Sequence, residues 1–161
     1  MIVSFTGHRP DKLGGFVLPN PTYLRVCQKI DAKLKELKPE KIISGMALGI
    51  DQWAAFISHK QNIPFLAAVP FLNQECKWPQ ASQATYRKLI KLAMEIVIVS
   101  EGGYSAAKMQ IRNEWMVDHC DMLLALWDGS PGGTGSCISY AKLIGKPTTN
   151  LWNIVINNKC L

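Results

Sequence analysis

Nowhere does this 161-residue chain run to the roughly eighteen uninterrupted apolar residues that a membrane-spanning helix requires. No membrane partner is therefore expected. The opening residues MIVSFTG show neither a basic flank ahead of an apolar core nor a small-residue cleavage site, so no secretory signal is expected and the expected compartment is the cytoplasm. Cysteine is sparse and odd in number: Cys27, Cys76, Cys120, Cys137 and Cys160 form no CxxC pair, which argues against a disulfide framework and for free thiols. His8, His59 and His119 show no ligand spacing with one another or with a cysteine, so neither a metal nor a cofactor is expected. Acidic residues are outnumbered, 12 against 18 basic, leaving a net charge of +6. The excess is scattered: Arg25, Lys29, Lys33, Lys35 and Lys38 share one helical pattern with Asp31, Glu36 and Glu40, which reads first as a solvated face and only second as a nucleic-acid surface.

Internal repeats, low-complexity tracts and linkers are also missing, and 48% hydrophobic residues suffice for one packed core. The expectation is a single domain spanning residues 1–161. Apolar runs of strand length recur at Ile2 to Phe5, Ile42 to Ile43, Phe65 to Val69, Glu95 to Val99 and Met122 to Trp127, with a weaker one near Thr148 to Trp152. Helical patterns alternate with them. Tyr23, Cys27, Ile30, Leu34 and Leu37 make a one-sided stripe bracketed by Pro21 and Pro39, and further helices fit Gln52 to Lys60, Ser82 to Ala93, Met109 to Cys120 and Thr134 to Ile144. Strand-helix alternation with apolar rather than alternating strands predicts a doubly wound α/β fold: a mostly parallel sheet covered on both faces. The irregular stretch Phe71 to Gln80 is the longest and is a candidate lid.

In such a sheet the ligand crevice lies beyond the carboxyl ends of the strands. Three small, glycine-bearing segments occupy that edge, whereas an ordinary strand-helix turn needs one glycine at most. TGHRP contributes Gly7, His8 and Arg9; SGMALGID contributes Ser44, Gly45, Met46, Ala47, Gly49 and Asp51; WDGSPGGTG contributes Asp128, Gly129, Gly132, Gly133 and Thr134. Bare backbone N–H groups at a helix N-terminus suit a phosphate. SGMALGID is neither a Walker A loop nor GxGxxG. Asp51 reads equally as a helix N-cap or a ribose contact, and Asp128 as an Asx turn or a working carboxylate. Arg112, beside Asn113, is placed either as a fork for phosphate oxygens or as a packing arginine.

SGMALGID followed by WAA resembles the SGxAxGID segment of the Rossmann-like domain of the DNA-processing protein DprA, and PGGTG resembles the PGGxGT motif of the LOG phosphoribohydrolases. Both belong to the SLOG superfamily. The order TGHRP, SGMALGID, RNEWMVD (Arg112 to Asp118), WDGSPGGTG is most similar to its small YpsA-type branch, over about residues 1 to 150. The resemblance implies a three-layer Rossmann-like fold, a nucleotide-derived ligand and a homo-oligomer; Trp53, Trp115 and Met116 are the interface candidates. LOG enzymes use an arginine in MxxRKxxM and a glutamate in PGGxGTxxE to cleave an N-glycosidic bond. Met109, Arg112 and Met116 match the first pattern, with Asn113 for the lysine, but the glutamate position is Ser139, and a hydroxyl cannot supply the charge that stabilises an oxocarbenium-like centre.

The leading expectation is therefore binding of a nucleotide or nucleotide-derived signal, ADP-ribose-like or cyclic, to sense or sequester it. One alternative is a nucleotide N-glycoside or phosphate-ester hydrolase working through Arg112 and Asp128. The other is DprA-like binding of single-stranded nucleic acid.

Overall fold

A computed structural model describes residues 1–153. In chain order it comprises strands β1 (Ile2–Gly7), β2 (Lys41–Ser44), β3 (Phe65–Val69), β4 (Glu95–Ile98), β5 (Met122–Leu126) and β6 (Thr148–Asn150). Helices α1 (Pro21–Leu37), α2 (Ile50–Lys60), α3 (Gln80–Ile90), α4 (Ala106–Asp118) and α5 (Gly133–Leu143) alternate with them, and a 3-10 turn covers Pro10–Lys12. All six strands are parallel, in the order β4-β3-β2-β1-β5-β6.

Two-sided burial explains the apolar strands. Every residue of β3 is buried: Phe65, Ala67 and Val69 pack against α1, α2 and α3 through Ile30, Trp53, Ile57 and Tyr86, whereas Leu66 and Ala68 pack with Met116 and Cys120 of the α4 side. A further cluster joins Leu123 and Ala125 of β5 to Cys137, Ile138 and Ala141 of α5. Three helices thus cover one face and two the other. Each fully buried Leu, Ile or Phe contributes on the order of 1.5–3 kcal/mol, enough for these stripes to set which helix lies on which face.

Local chemistry fixes the helix starts. The Asn20 side chain accepts from the Tyr23 amide (2.9 Å) with Pro21 at the first helical position, and Ser105 accepts from Lys108 (3.2 Å), which starts α4 a turn before the apolar pattern at Met109.

Two expectations are corrected by this packing. Trp53 and Met116 are core rather than interface: Trp53 is 7% exposed, edge-on to Tyr23 at 4.9 Å, and Met116 is 1% exposed against the sheet. Trp115 is half-buried and stacks on the His119 ring at 3.9 Å. The stretch Phe71 to Gln80 is not a lid. Trp78 packs edge-on to Tyr86 and Gln83 donates to the carbonyls of Cys76 and Trp78, so the segment is fastened to α3 and lines no part of the cleft described below.

Cys27, Cys76, Cys120 and Cys137 are free thiols, and Cys160 lies outside the described residues. Burial pushes the Cys27 and Cys120 thiols up to about 11 and Cys137 up to about 12, so these three stay protonated near neutral pH. No helix among the described residues is long and apolar enough to cross a membrane.

Candidate functional site

The strand order reverses between β1 and β5: the chain leaves β1 for the α1 face and β5 for the α5 face. The two loops diverge there and open a crevice at the carboxyl edge. A cleft of about 220 Å³ occupies it. Of the residues singled out from sequence, Gly7, His8, Arg9, Ala47, Asp51, Arg112, Asn113, Gly132, Gly133 and Thr134 line it. Ser44, Gly45, Met46, Gly49, Asp128 and Gly129 do not; most of these shape the cleft from behind.

Arg112 stands at the centre. It is 3% exposed, because its side chain runs inward beneath the SGMALGID turn from the same buried face of α4 that carries Asn113, Met116 and Val117. Its Nη1 donates to the Gly45 carbonyl, and its Nε donates to Asn113 Oδ1 at 3.0 Å. Asn113 Nδ2 in turn donates to the Gly133 carbonyl at 3.4 Å. One side-chain relay therefore couples the turn after β2, helix α4 and the glycine loop before α5. Gly45 is required by this approach, since a Cβ there would collide with the guanidinium and with Asp51.

Asp51 Oδ2 lies 4.0 Å from Arg112 Nη1 and accepts from the Ala47 amide at 3.4 Å. The N-cap reading of Asp51 is corrected: α2 begins at Ile50 with Gly49 as its cap, and Asp51 braces the turn and the guanidinium instead. Gly49 has φ +92°, and a Cβ there would strike the His8 carbonyl, so this position admits glycine alone. Burial pushes the Asp51 carboxyl up, opposed by Arg112 and then Arg9. Burial likewise pulls the Arg112 guanidinium down, opposed by Asp51. Arg112 remains the cation, because guanidinium does not deprotonate in proteins. Ser44 is structural: its hydroxyl donates to the Asp51 carbonyl and accepts from the Met46 amide.

The opposite wall is the glycine loop. Gly132 and Gly133 are exposed at the N-terminus of the 11-residue α5, and a Cβ at either would meet nothing within 4 Å. Trp127 Nε1 donates to the Ser130 carbonyl (2.7 Å) and holds the loop's shape. Asp128 makes the Asx turn: its Oδ1 accepts from the Ser130 amide at 2.9 Å and its Oδ2 from Lys12 Nζ at 3.2 Å. The Ser130 bonds first, and then Lys12, hold its carboxyl well below the usual carboxylate range.

His8 accepts the Asp128 amide on Nε2 (3.0 Å) and meets the Trp152 ring edge-on at 5.0 Å. Asp128 Oδ1 lies 2.9 Å from the same nitrogen and opposes the shift, but burial outweighs it and lowers the His8 pKa, which favours the neutral ring that accepts the amide as the Nδ1–H tautomer. Because the folded pKa is depressed, this contribution to stability is present above the unfolded value of about 6.5 and is lost as pH falls from there through the lower folded value. Melting temperature should therefore drop as pH is lowered through that range. His8→Gln, which keeps an acceptor without titrating, should flatten the slope; an unchanged slope would assign the effect to another group.

Sequence reasoning missed Thr6, Asp11, Lys12, Met109, Trp127, Ser130 and Pro131 in the lining. Met109 reaches the cleft together with Arg112, as their three-residue spacing on α4 allows. Lys12 was the legible omission, two residues past TGHRP in a turn that the proline starts. Ser139, at the LOG glutamate position, is exposed on α5 and does not line the cleft, whose carboxylates are Asp11 and Asp51.

A family model described as the YspA SLOG family matches residues 3–153. The chain is 36% identical over 145 residues to the SPbeta prophage-derived protein YoqJ of Bacillus subtilis, covering 78% of this chain and 85% of that protein. It is 31% identical over 152 residues to a UPF0398 protein of Halalkalibacterium halodurans, covering 88% and 80%. Among solved structures it is similar to DNA processing protein A of Helicobacter pylori, described for its single-stranded DNA binding mode, with TM-score 0.66 and 18% identity. The same protein from Streptococcus pneumoniae gives TM-score 0.65 and 16% identity. The chain covers 63% and 48% of those two chains, and at such identity the likeness is one of fold.

Proposed function

The chain belongs to the YspA SLOG family, and from that premise we propose that it binds a nucleotide or nucleotide-derived signalling molecule, ADP-ribose-like or cyclic, to sense or sequester it. One observation carries the reading: a fully buried arginine lines a cleft at the sheet's switch point, facing bare backbone amides at a helix N-terminus. A phosphate seated between Arg112 and the amides of Gly132, Gly133 and Thr134 receives charge-assisted bonds from both sides. Arg9 and Lys12 add two exposed cations at the rim. Asp51 orients the guanidinium, and His8 with Asp128 sets the loop. At about 220 Å³ the cleft seats a phosphorylated ribose, with the remainder of the ligand extending past the rim.

Hydrolysis is the alternative. Its weakness lies in the carboxylates: Asp51 is engaged with Arg112 and Asp128 with Ser130 and Lys12, so neither is free to receive a proton or steady a cationic sugar, and Asp11, the other carboxylate of the lining, is exposed to solvent on the 3-10 turn. Incubation with nucleoside monophosphates, NAD, ADP-ribose and cyclic nucleotides, followed by product separation, tests both readings. Retention of an unmodified compound is the expected result; multiple turnovers on any of them would replace binding by catalysis.

A nucleic-acid reading draws on the net charge of +6 and the fold shared with DNA processing protein A. It requires oligonucleotide affinity to fall linearly in log salt, with a slope set by the phosphates neutralised. The expected result is no such response.

A further inference from the structure

The two cations at the mouth of the cleft are not equivalent. Lys12 is held by the protein itself: its Nζ donates to Asp128 Oδ2 at 3.2 Å and to the Ser130 hydroxyl. Arg9 lines the cleft and is exposed, yet among the described residues its guanidinium has neither an ion-pair partner nor a hydrogen bond. Its backbone is nevertheless fixed. The His8 amide donates to the Leu126 carbonyl (3.3 Å), buried Pro10 opens the 3-10 turn, the Arg9 carbonyl accepts from the Lys12 amide (3.1 Å), and Gly49 packs against the Arg9 Cα. A long cation therefore leaves a rigid base between two buried residues, with no acceptor of the protein's own.

Arg112 is only partly engaged. Its Nε serves Asn113 and its Nη1 serves Gly45, while Nη2 makes no hydrogen bond among the described residues. Burial and their mutual pairing dominate the titration of Asp51 and Arg112, and the Arg9 charge is the next influence on both, lowering each. Lys12 and Asp11 act instead on His8, behind burial and Asp128. Two guanidiniums thus share one buried carboxylate, and like charges gathered in a partly dry cleft disfavour one another until an anion comes between them. A single phosphoryl group on Arg112 Nη2 and the α5 amides would leave Arg9 uncompensated.

We infer that the ligand carries two adjacent phosphoryl groups, the first on Arg112 and the amides of Gly132, Gly133 and Thr134, and the second on Arg9. The inference rests on the nucleotide reading above and narrows it. A pyrophosphate-bearing molecule matches this charge distribution; a cyclic nucleotide, with one singly charged phosphate, does not. Arg9 becomes the specificity-determining residue, its planar fork matching two oxygens of the second group.

Inorganic anions test this without reference to the base. In calorimetric titrations pyrophosphate should bind at least about 10-fold more tightly than phosphate, as one further charge-assisted pairing gives. Arg9→Gln should bring that ratio close to unity, and Arg9→Lys should restore part of it, since an ammonium keeps the charge without the fork. Lys12→Gln should weaken both anions in the same proportion and keep the ratio. Melting curves check that each variant is folded. A wild-type protein that binds phosphate with no preference for pyrophosphate, a preference that survives Arg9→Gln, or an equal loss of preference in Lys12→Gln would overturn the second phosphoryl position while leaving the nucleotide reading in place. Uptake of neither anion at millimolar concentration would overturn that reading and this inference with it.

Discussion

Arg112→Ala should abolish binding of a phosphate-bearing nucleotide and destabilise the protein together. Arg112 is the buried partner of a buried carboxylate, and removing one member of such a pair typically costs about 3–5 kcal/mol, because the other is left uncompensated. The loss should depend on pH in a stated direction. Burial already raises the Asp51 pKa, and without Arg112 the carboxyl is held higher still. A raised carboxyl pKa favours the folded state fully below the unfolded value of about 3.9, and that advantage is lost as pH rises toward the folded value. Arg112→Ala should accordingly be less destabilised in acid than at neutral pH, relative to wild type. Arg112→Lys should retain more of both properties, since an ammonium still neutralises Asp51 but cannot fork two phosphate oxygens. The double variant Arg112→Leu, Asp51→Asn separates the two roles. It should regain much of the stability, by relieving the unpaired charge, while affinity stays about 30-fold to several thousandfold below wild type. Melting curves beside calorimetric titrations check this; a double variant that binds with full affinity would make Arg112 a packing residue.

Gly133→Val should do the opposite, sparing stability while removing affinity. Gly133 opens α5 in helical conformation and an added Cβ meets nothing within 4 Å, so a branched side chain fits the unliganded protein. It would project into the space where the amides meet the anion. Losing one such hydrogen bond to a charged group costs about 1.5–3 kcal/mol, or roughly 10- to 150-fold in affinity, and a full steric block costs more. Gly133→Ala should fall between valine and wild type. A folded valine variant with unchanged affinity would reduce the loop to a turn.

Much of the architecture was legible because burial writes itself into composition. Strands buried on both faces must be apolar runs, and Phe65 to Val69 was read residue for residue. Helix starts were less legible: α4 begins at Ala106 rather than Met109 because a serine cap extends it beyond the apolar stripe. Strand order was not legible, so nothing in EIVI distinguished an edge strand from a central one. Trp53 and Met116 show the same limit, since a large apolar side chain is equally at home in a core or an interface. The glycine loops declared themselves through spacing. The burial of Arg112 did not, because it depends on a carbonyl 67 residues away in sequence. Lys12 and Trp127 reach the cleft through turns whose direction is set only once β1 and β5 are neighbours.

The most direct test of the account is an amide NMR titration of the whole chain with ADP-ribose, a nucleoside monophosphate and a cyclic nucleotide. At least one compound should shift the amides of Gly132, Gly133 and Thr134 together with those of Gly7 to Arg9 and the Arg112 side chain, and leave β4 unmoved. Shifts centred elsewhere, such as the apolar groove beside Phe16 and Phe56, or no shift with any of the three at millimolar concentration, would contradict it.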